Sequence, residues 1–220
     1  MTELSYLIQL PFWEQLTDRE KEFVQANSNI RQYTKEQIIF NSGTECLGMS
    51  MVISGQMRAY ILSEEGREIT LYRLHQGELC VLTASCVVNQ ITFETLMSAS
   101  ADCMLLVMST DAFDKLMKKN IYVRCFAYEL LCERFSSVMW TMQMILFKGY
   151  DRRLASFLIS EYKNTGLATI QMTHEQIAQY TNSAREVVAR MLKRFASDNL
   201  VEFKRGRITL KNIEALEAMI

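Results

Sequence analysis

Residues 173–210, THEQIAQYTNSAREVVARMLKRFASDNLVEFKRGRITL, decide how the chain is read. They read as two helices joined by a tight turn and followed by a short basic hairpin. Thr173 stands where a side-chain oxygen caps a helix, and Gln176 three residues later completes a capping box. Ile177 supplies an inward apolar position, and Ala178 is small where a second helix crosses closely. Asn182-Ser183 breaks the chain. Ser183 is expected to cap the next helix, with Glu186 at its box position. Val187, Val188, Met191, Leu192 and Phe195 recur at helical spacing and predict a buried face. Arg185, Glu186 and Arg190 then point outward from the first turns.

A helix-turn-helix has this geometry: the start of its second helix enters the major groove and reaches base edges. Arginine bonds guanine O6 and N7 bidentately, and glutamate accepts from the cytosine amino group. A plain helical hairpin with a solvated charged face is the competing reading. Against it stand the ten-residue separation of the caps, the base-reading chemistry of the outward residues and the basic hairpin that follows. In that hairpin, Val201–Phe203 and Ile208–Leu210 flank Lys204, Arg205 and Arg207 as a wing, whose tip meets phosphates and positions without reading sequence.

Thr173, Ile177, Ser183, Arg185, Glu186 and Arg190 together resemble the recognition segment of the CRP/FNR family of bacterial transcription regulators. The resemblance places the family's base-reading roles on Arg185, Glu186 and Arg190, and backbone or positioning roles on Thr173, Ser183, Lys204, Arg205 and Arg207. It implies an inverted-repeat site with a G-x-GA core in each half. Ala189 departs from the serine of the FNR branch, so the read-out is closer to the CRP branch. Double-stranded DNA, a second copy of the chain and RNA polymerase are the partners it implies.

Composition agrees with such a division of labour. The 220 residues suit one large or two small domains, with 49% apolar and 22% charged residues. Net charge is −1, yet residues 149–220 carry 11 Lys+Arg against 8 Asp+Glu, and residues 1–148 carry 13 against 17. A basic C-terminal part on an acidic N-terminal part suits a sensor joined to a DNA binder. No apolar run approaches a membrane span and no basic-then-apolar leader opens the chain, so a cytoplasmic protein without a membrane partner is expected.

From Ile30 to Met108 short β-rich pieces alternate with turn signals: Ile38–Phe40, Met49–Ile53, Met57–Leu62 and Ile69–Leu74. Gly55, Gly66 and Gly77 recur every eleven residues, and Ser54-Gly55 and Glu65-Gly66 are plausible hairpin turns. That pattern predicts an antiparallel sandwich or barrel. The run from Ser54-Gly55 through Arg58, Tyr60, Glu65-Gly66-Arg67-Glu68 and Thr70-Leu71 resembles the β-roll of cyclic-nucleotide-binding domains. The fold class expected is therefore α+β. Residues 1–120 form a jelly-roll-like effector domain with flanking helices, 121–148 a long dimerisation helix, and 149–220 a winged helix-turn-helix.

The resemblance locates the effector pocket at Glu78, Cys80, Thr83 and Cys86. Cyclic-AMP-binding members follow their Gly-Glu pair with Arg-Ser; here Gly77-Glu78 is present, but Val88-Asn89-Gln90 stands in that place. A buried phosphate without an arginine is costly, which argues against cyclic AMP. Val81 and Thr83 occupy the positions of the cysteine and histidine that hold haem in carbon-monoxide sensors, which argues against haem. The first cysteine is Cys46, so the N-terminal cysteine cluster of iron–sulfur members is missing, and no zinc-ligand spacing occurs. Cys80 and Cys86 are either a redox pair or small residues packing where the pocket meets the long helix; no basic neighbour in sequence favours the thiolate, and packing is preferred.

Along 121–148, Tyr128, Leu131, Phe135, Val138, Met142 and Ile145 follow a 4-3 spacing and are the expected dimer seam. Gly149 is expected to end this helix, and Asp151 to cap the next, Arg152 to Tyr162. Two rival functions remain. An enzyme using the β-roll pocket finds no nucleophile–base pair, metal spacing or phosphate-binding glycine loop. A ligand-sensing module that does not bind DNA is distinguished by its indifference to duplex DNA.

Overall fold

The computed structural model describes residues 3–41, 47–81 and 95–220. Thr83, Cys86 and the Val88–Gln90 segment lie outside the described residues. The described residues form two compact units: residues up to Gly66 with Leu71–Val138, and Met139–Ile220 with Arg67–Thr70.

The first unit opens with α1 (Glu3–Leu7), a 3-10 turn (Trp13–Gln15) and α2 (Asp18–Ala26). Thr17 and Glu20 close a capping box at the start of α2, which is why the helix begins at Asp18 although apolar spacing starts at Phe12. Among the described residues eight strands follow: β1 (Ser28–Tyr33), β2 (Ile38–Phe40), β3 (Met49–Ser54), β4 (Met57–Leu62), β5 (Glu68–Leu74), β6 (Leu79–Cys80), β7 (Leu96–Ala99) and β8 (Cys103–Met108). They make two four-stranded antiparallel sheets, ordered β1-β8-β3-β6 and β2-β7-β4-β5. The second half of the unit is α3 (Thr110–Lys119) and α4 (Ile121–Phe147), the latter continuing into the second unit.

The strands β3 and β8 are apolar on both faces because both faces are covered. Met49, Met51, Ile53, Leu106 and Met108 face a core built from the N-terminal helices, α3 and α4. Val52, Leu105 and Val107 alternate to the other side, into the core shared with β4, β5 and β7. From α4, Val123, Ala127 and Leu130 are buried in the first of these cores.

Gly48 holds the entry to β3. Its φ is +77, and a Cβ there would stand 2.2 Å from the Met108 carbonyl oxygen. Gly48→Ala is therefore expected to cost on the order of 3 kcal/mol, from a left-handed backbone and an unavoidable backbone clash together. Gly66, with φ +80 and nothing within 4 Å of an added Cβ, isolates the backbone part. Denaturant midpoints should fall much further for G48A than for G66A; equal shifts would remove the clash from the account.

The second unit contains α5 (Tyr150–Thr165), β9 (Thr169–Ile170), α6 (His174–Tyr180), α7 (Arg185–Ser197), β10 (Val201–Lys204), β11 (Arg207–Leu210) and α8 (Ile213–Glu217). Its three strands are ordered β10-β11-β9. Leu154, Leu158, Ile177, Val188, Leu192, Phe195, Ile208 and Leu216 share one core. Two expected caps are corrected. Asp151 does not cap α5: the helix starts at Tyr150 behind Gly149, and Asp151 accepts from the Arg152 N–H instead. Ser183 does not cap α7: Ala184 is the residue before the helix, and no side chain caps it. The extra residue is consumed by Asn182, whose left-handed φ of +52 turns the chain before the helix can start.

Candidate nucleic-acid interface and sensor residues

The helix-turn-helix is fixed from its ends inward. Thr173 Oγ1 accepts from the Gln176 N–H at 3.2 Å while Gln176 Oε1 accepts from the Thr173 N–H at 2.9 Å. At the other end of α6, the Thr181 hydroxyl donates to the Ile177 carbonyl at 2.6 Å. Two residues of α5 hold the same turn. Tyr150 Oη and Thr181 Oγ1 lie 3.0 Å apart, and Arg153 Nη1 donates to the Thr181 carbonyl at 3.3 Å. Burial raises the Tyr150 phenol and lowers the Arg153 guanidinium relative to their ordinary values, so both are placed to act as packed structural groups. Neither role is readable in sequence, since both partners lie roughly thirty residues away.

On α7, Val188, Leu192 and Phe195 are buried, while Arg185, Glu186 and Arg190 are exposed. At about 100° per residue, Glu186 and Arg190 lie about 40° apart, on the side opposite Val188 and Leu192. Arg185 flanks them at the first helical position. The structure gives none of the three an ion pair among the described residues. Extended donors beside one acceptor at a helix start suit base edges rather than an internal network. In the wing, Gly206 turns between Lys204 and Arg207 with φ +72. Glu202 pairs with Lys211 at 2.9 Å and with Lys204 at 3.7 Å, whereas Arg205 and Arg207 project without an ion pair among the described residues. Ser183 is half-buried, its N–H donating to the Ala178 carbonyl at 2.9 Å.

His174, the first residue of α6, packs edge-on against Phe203 of the wing with centroids 6.0 Å apart. Burial, and then the Arg185 charge, hold its imidazole below the ordinary 6.5, so the fold favours the neutral ring. The unfolded chain therefore binds the extra proton first as pH falls. The stabilising contribution is complete above 6.5 and is lost as pH drops through the lower folded value. Thermal unfolding of wild type should weaken from about pH 7.5 to about 5.5 more than that of His174→Gln. Identical pH profiles would show that the ring carries no such linkage.

In the first unit, Glu78 and Cys80 are placed beside a residue that sequence alone does not single out. Arg134, on α4 and 8% exposed, points back into the β-roll. Its Nη1 stands 3.8 Å from Glu78 Oε1 and its Nη2 donates to the Leu79 carbonyl at 3.0 Å. Its guanidinium lies over the Tyr72 ring, 5.3 Å from the centroid. Glu78 Oε2 accepts from the His75 N–H at 2.7 Å, which fixes the carboxylate. Among the described residues the buried Arg134 Nε has no hydrogen-bond partner. Burial, reinforced by Cys80, pushes the Tyr72 phenol well above its ordinary range, so it stays a neutral donor. Cys80 itself is fully buried. The signal in the sequence is small: one arginine in a stretch of helix otherwise rich in apolar residues.

Of the six positions expected along the α4 seam, Tyr128, Phe135 and Met142 are exposed. Leu131 and Val138 pack instead on the cores of the roll, and Ile145 is half-buried. Among the described residues no helix is long and apolar enough to cross a membrane.

A β-roll carrying a long helix, followed by a winged helix-turn-helix, defines a sensor-type DNA-binding regulator. Residues 30–120 match the model of the cyclic nucleotide-binding domain and residues 152–219 that of the Crp-like helix-turn-helix domain. The crystal structure of a putative transcriptional regulator of the CRP/FNR family from Eubacterium rectale is 39% identical, covers 96% of this chain and 98% of its own, and superposes with a TM-score of 0.89. The regulatory protein HlyX of Actinobacillus pleuropneumoniae is 26% identical over 94% of this chain and 88% of its own length. The fumarate and nitrate reduction regulatory protein of Yersinia pestis is also 26% identical, over 83% and 74%. The chain belongs to the CRP/FNR family. It is a DNA-binding transcription regulator with a sensing domain of the cyclic-nucleotide-binding type.

Proposed function

We propose that two copies of the chain read an inverted repeat through Arg185, Glu186 and Arg190, with Arg205 and Arg207 on flanking phosphates. The observation that carries this is the exposed triad on α7, held rigidly by Val188, Leu192 and Phe195 on the opposite face. Two-fold symmetry is what a palindrome requires, and half-sites lie about one DNA turn, roughly 34 Å, apart. The Arg134–Glu78–Tyr72 group is the seat of the signal: an effector meeting these residues would shift α4 and with it the spacing of the recognition helices. RNA polymerase is the partner such a DNA-bound dimer would address.

The test is binding of the full chain to a labelled duplex carrying two G-x-GA half-sites, against a shuffled duplex, at one fixed salt concentration. Specific binding at least about 1,000-fold tighter than to the shuffled duplex is the expected order for a regulator of this kind. Equal affinity for both duplexes at every salt concentration would overturn the sequence-specific reading. No binding to either would favour a sensing module without a DNA target.

A further inference from the structure

The exposed residues of α4 contain one unbroken stripe: Ile121, Cys125, Tyr128, Cys132, Phe135, Met139, Met142 and Leu146. The steps are four, three, four, three, four, three and four. In heptad terms Cys125, Cys132, Met139 and Leu146 take the a positions, and Ile121, Tyr128, Phe135 and Met142 the d positions. The stripe cannot rotate inward, because Val123, Ala127, Leu130 and Arg134 are buried on the other side of the same turns. Six large apolar residues are thus held in water by the protomer, with two thiols among them.

We propose that Cys125 and Cys132 each face their own counterpart in a second copy and close disulfides across the two-fold axis. The proposal rests on the dimer reading above and adds its register. Both DNA-binding segments follow the C-terminal ends of the two helices, and only a parallel pair lets both meet one face of a duplex. In a parallel pair a residue at an a position meets the same residue of the partner helix. Packed helix axes stand about 8–10 Å apart and Cα atoms lie about 2.3 Å from each axis, so seam Cα atoms approach to roughly 3.4–5.4 Å. The separations a disulfide accepts, about 4.4–6.8 Å, overlap that range.

Competing uses of the thiols fail on distance. Cys125 and Cys132 of one helix are about 10.5 Å apart along the axis, too far to bridge each other. Four thiolates on levels so separated cannot share one tetrahedral metal with bonds of about 2.3 Å. Pairing with the same residue of a second copy is the arrangement that remains. With hydrogen peroxide as oxidant, one thiolate attacks a peroxide oxygen, breaking the O–O bond and giving a sulfenic acid and water. The partner thiolate then attacks that sulfur and expels hydroxide, which leaves as water. Two thiols lose two electrons and two protons, and one peroxide becomes two waters.

The experiment uses the full chain, reduced, freed of reductant and treated with stoichiometric hydrogen peroxide, followed by non-reducing electrophoresis and, in parallel, sedimentation without oxidant. Most of the wild type should run as a covalent dimer that dithiothreitol reverses. C125S/C132S should sediment as a dimer yet give no covalent species, and either single variant should retain one cross-link. Adding M139C to the double-serine background should restore the cross-link one heptad on, whereas Gln143→Cys, off the stripe, should not. A wild type that sediments as a dimer but never cross-links, or that cross-links equally in C125S/C132S, overturns the register while sparing the dimer. A monomer at all concentrations overturns both.

Discussion

Replacing Arg190 with alanine is expected to lower specific affinity by about 1–3 kcal/mol per half-site, or about five- to 150-fold, at fixed salt. A two-fold dimer carries the lesion in both halves, so the whole operator loses it twice. Arg190 sits in the second turn of α7, exposed, with no ion pair among the described residues to break. On the proposed assignment its removal deletes a guanine contact without perturbing the fold, and the melting temperature should barely move. Affinity for shuffled duplex should change far less, and discrimination at one base pair of each half-site should relax. Arg205→Ala provides the contrast: if its guanidinium meets a phosphate as proposed, the variant wing should hold all duplexes less tightly and the salt slope should fall by about one. If R190A kept full discrimination, the base-reading assignment on α7 would be wrong.

Phe195→Ala should have the larger effect on stability, about 3–5 kcal/mol. Phe195 is 1% exposed and packs in the core that joins α5, α6, α7 and the wing. Truncation leaves a cavity beneath the recognition helix that neighbouring leucines cannot fill without moving α7. Small domains have only about 5–15 kcal/mol in total, so the second unit is brought near its threshold. For a unit of this size the melting temperature should fall on the order of 15 °C. The first unit has its own cores and should unfold at its wild-type temperature, so one transition should split into two. DNA binding should weaken with temperature in step with the lower transition. A single transition at the wild-type temperature would show that the site collapses around the missing ring.

The second unit is the more legible of the two in sequence because its signals are local. Thr173 and Gln176 satisfy each other three residues apart, and Val188, Leu192 and Phe195 declare a helix face by spacing alone. Strands β2, β3, β4 and β5 fall within a residue of their expected limits, since apolar pieces bounded by glycine turns leave little choice. Thr17-x-x-Glu20 carries the same capping signal as Thr173, and it sets the start of α2 at Asp18. Other features are closed to local reading. Tyr150 and Arg153 act on Thr181 through the tertiary fold. Arg134 looks like a solvated helix residue until the roll is folded against it. The seam is ambiguous for a related reason: α4 carries apolar side chains nearly all round. A 4-3 pattern can then be drawn through Leu131 and Val138 or through Cys132 and Met139 with equal ease. Only the packing of the first pair on the roll separates them.

The stripe on α4 also ties this protein's chemistry to its copy number. Phe135 and Leu146 are each about two-thirds exposed in the single chain, and whatever covers them adds stability by mass action. Pairing rises with the square of the free chain concentration, so at low dosage the operator-competent species declines faster than the protein itself. Where the chain is mostly unpaired and its operators are far from saturated, halving its synthesis would empty more than half of the bound operators. The gene's expression level is then an input to the switch, alongside any ligand.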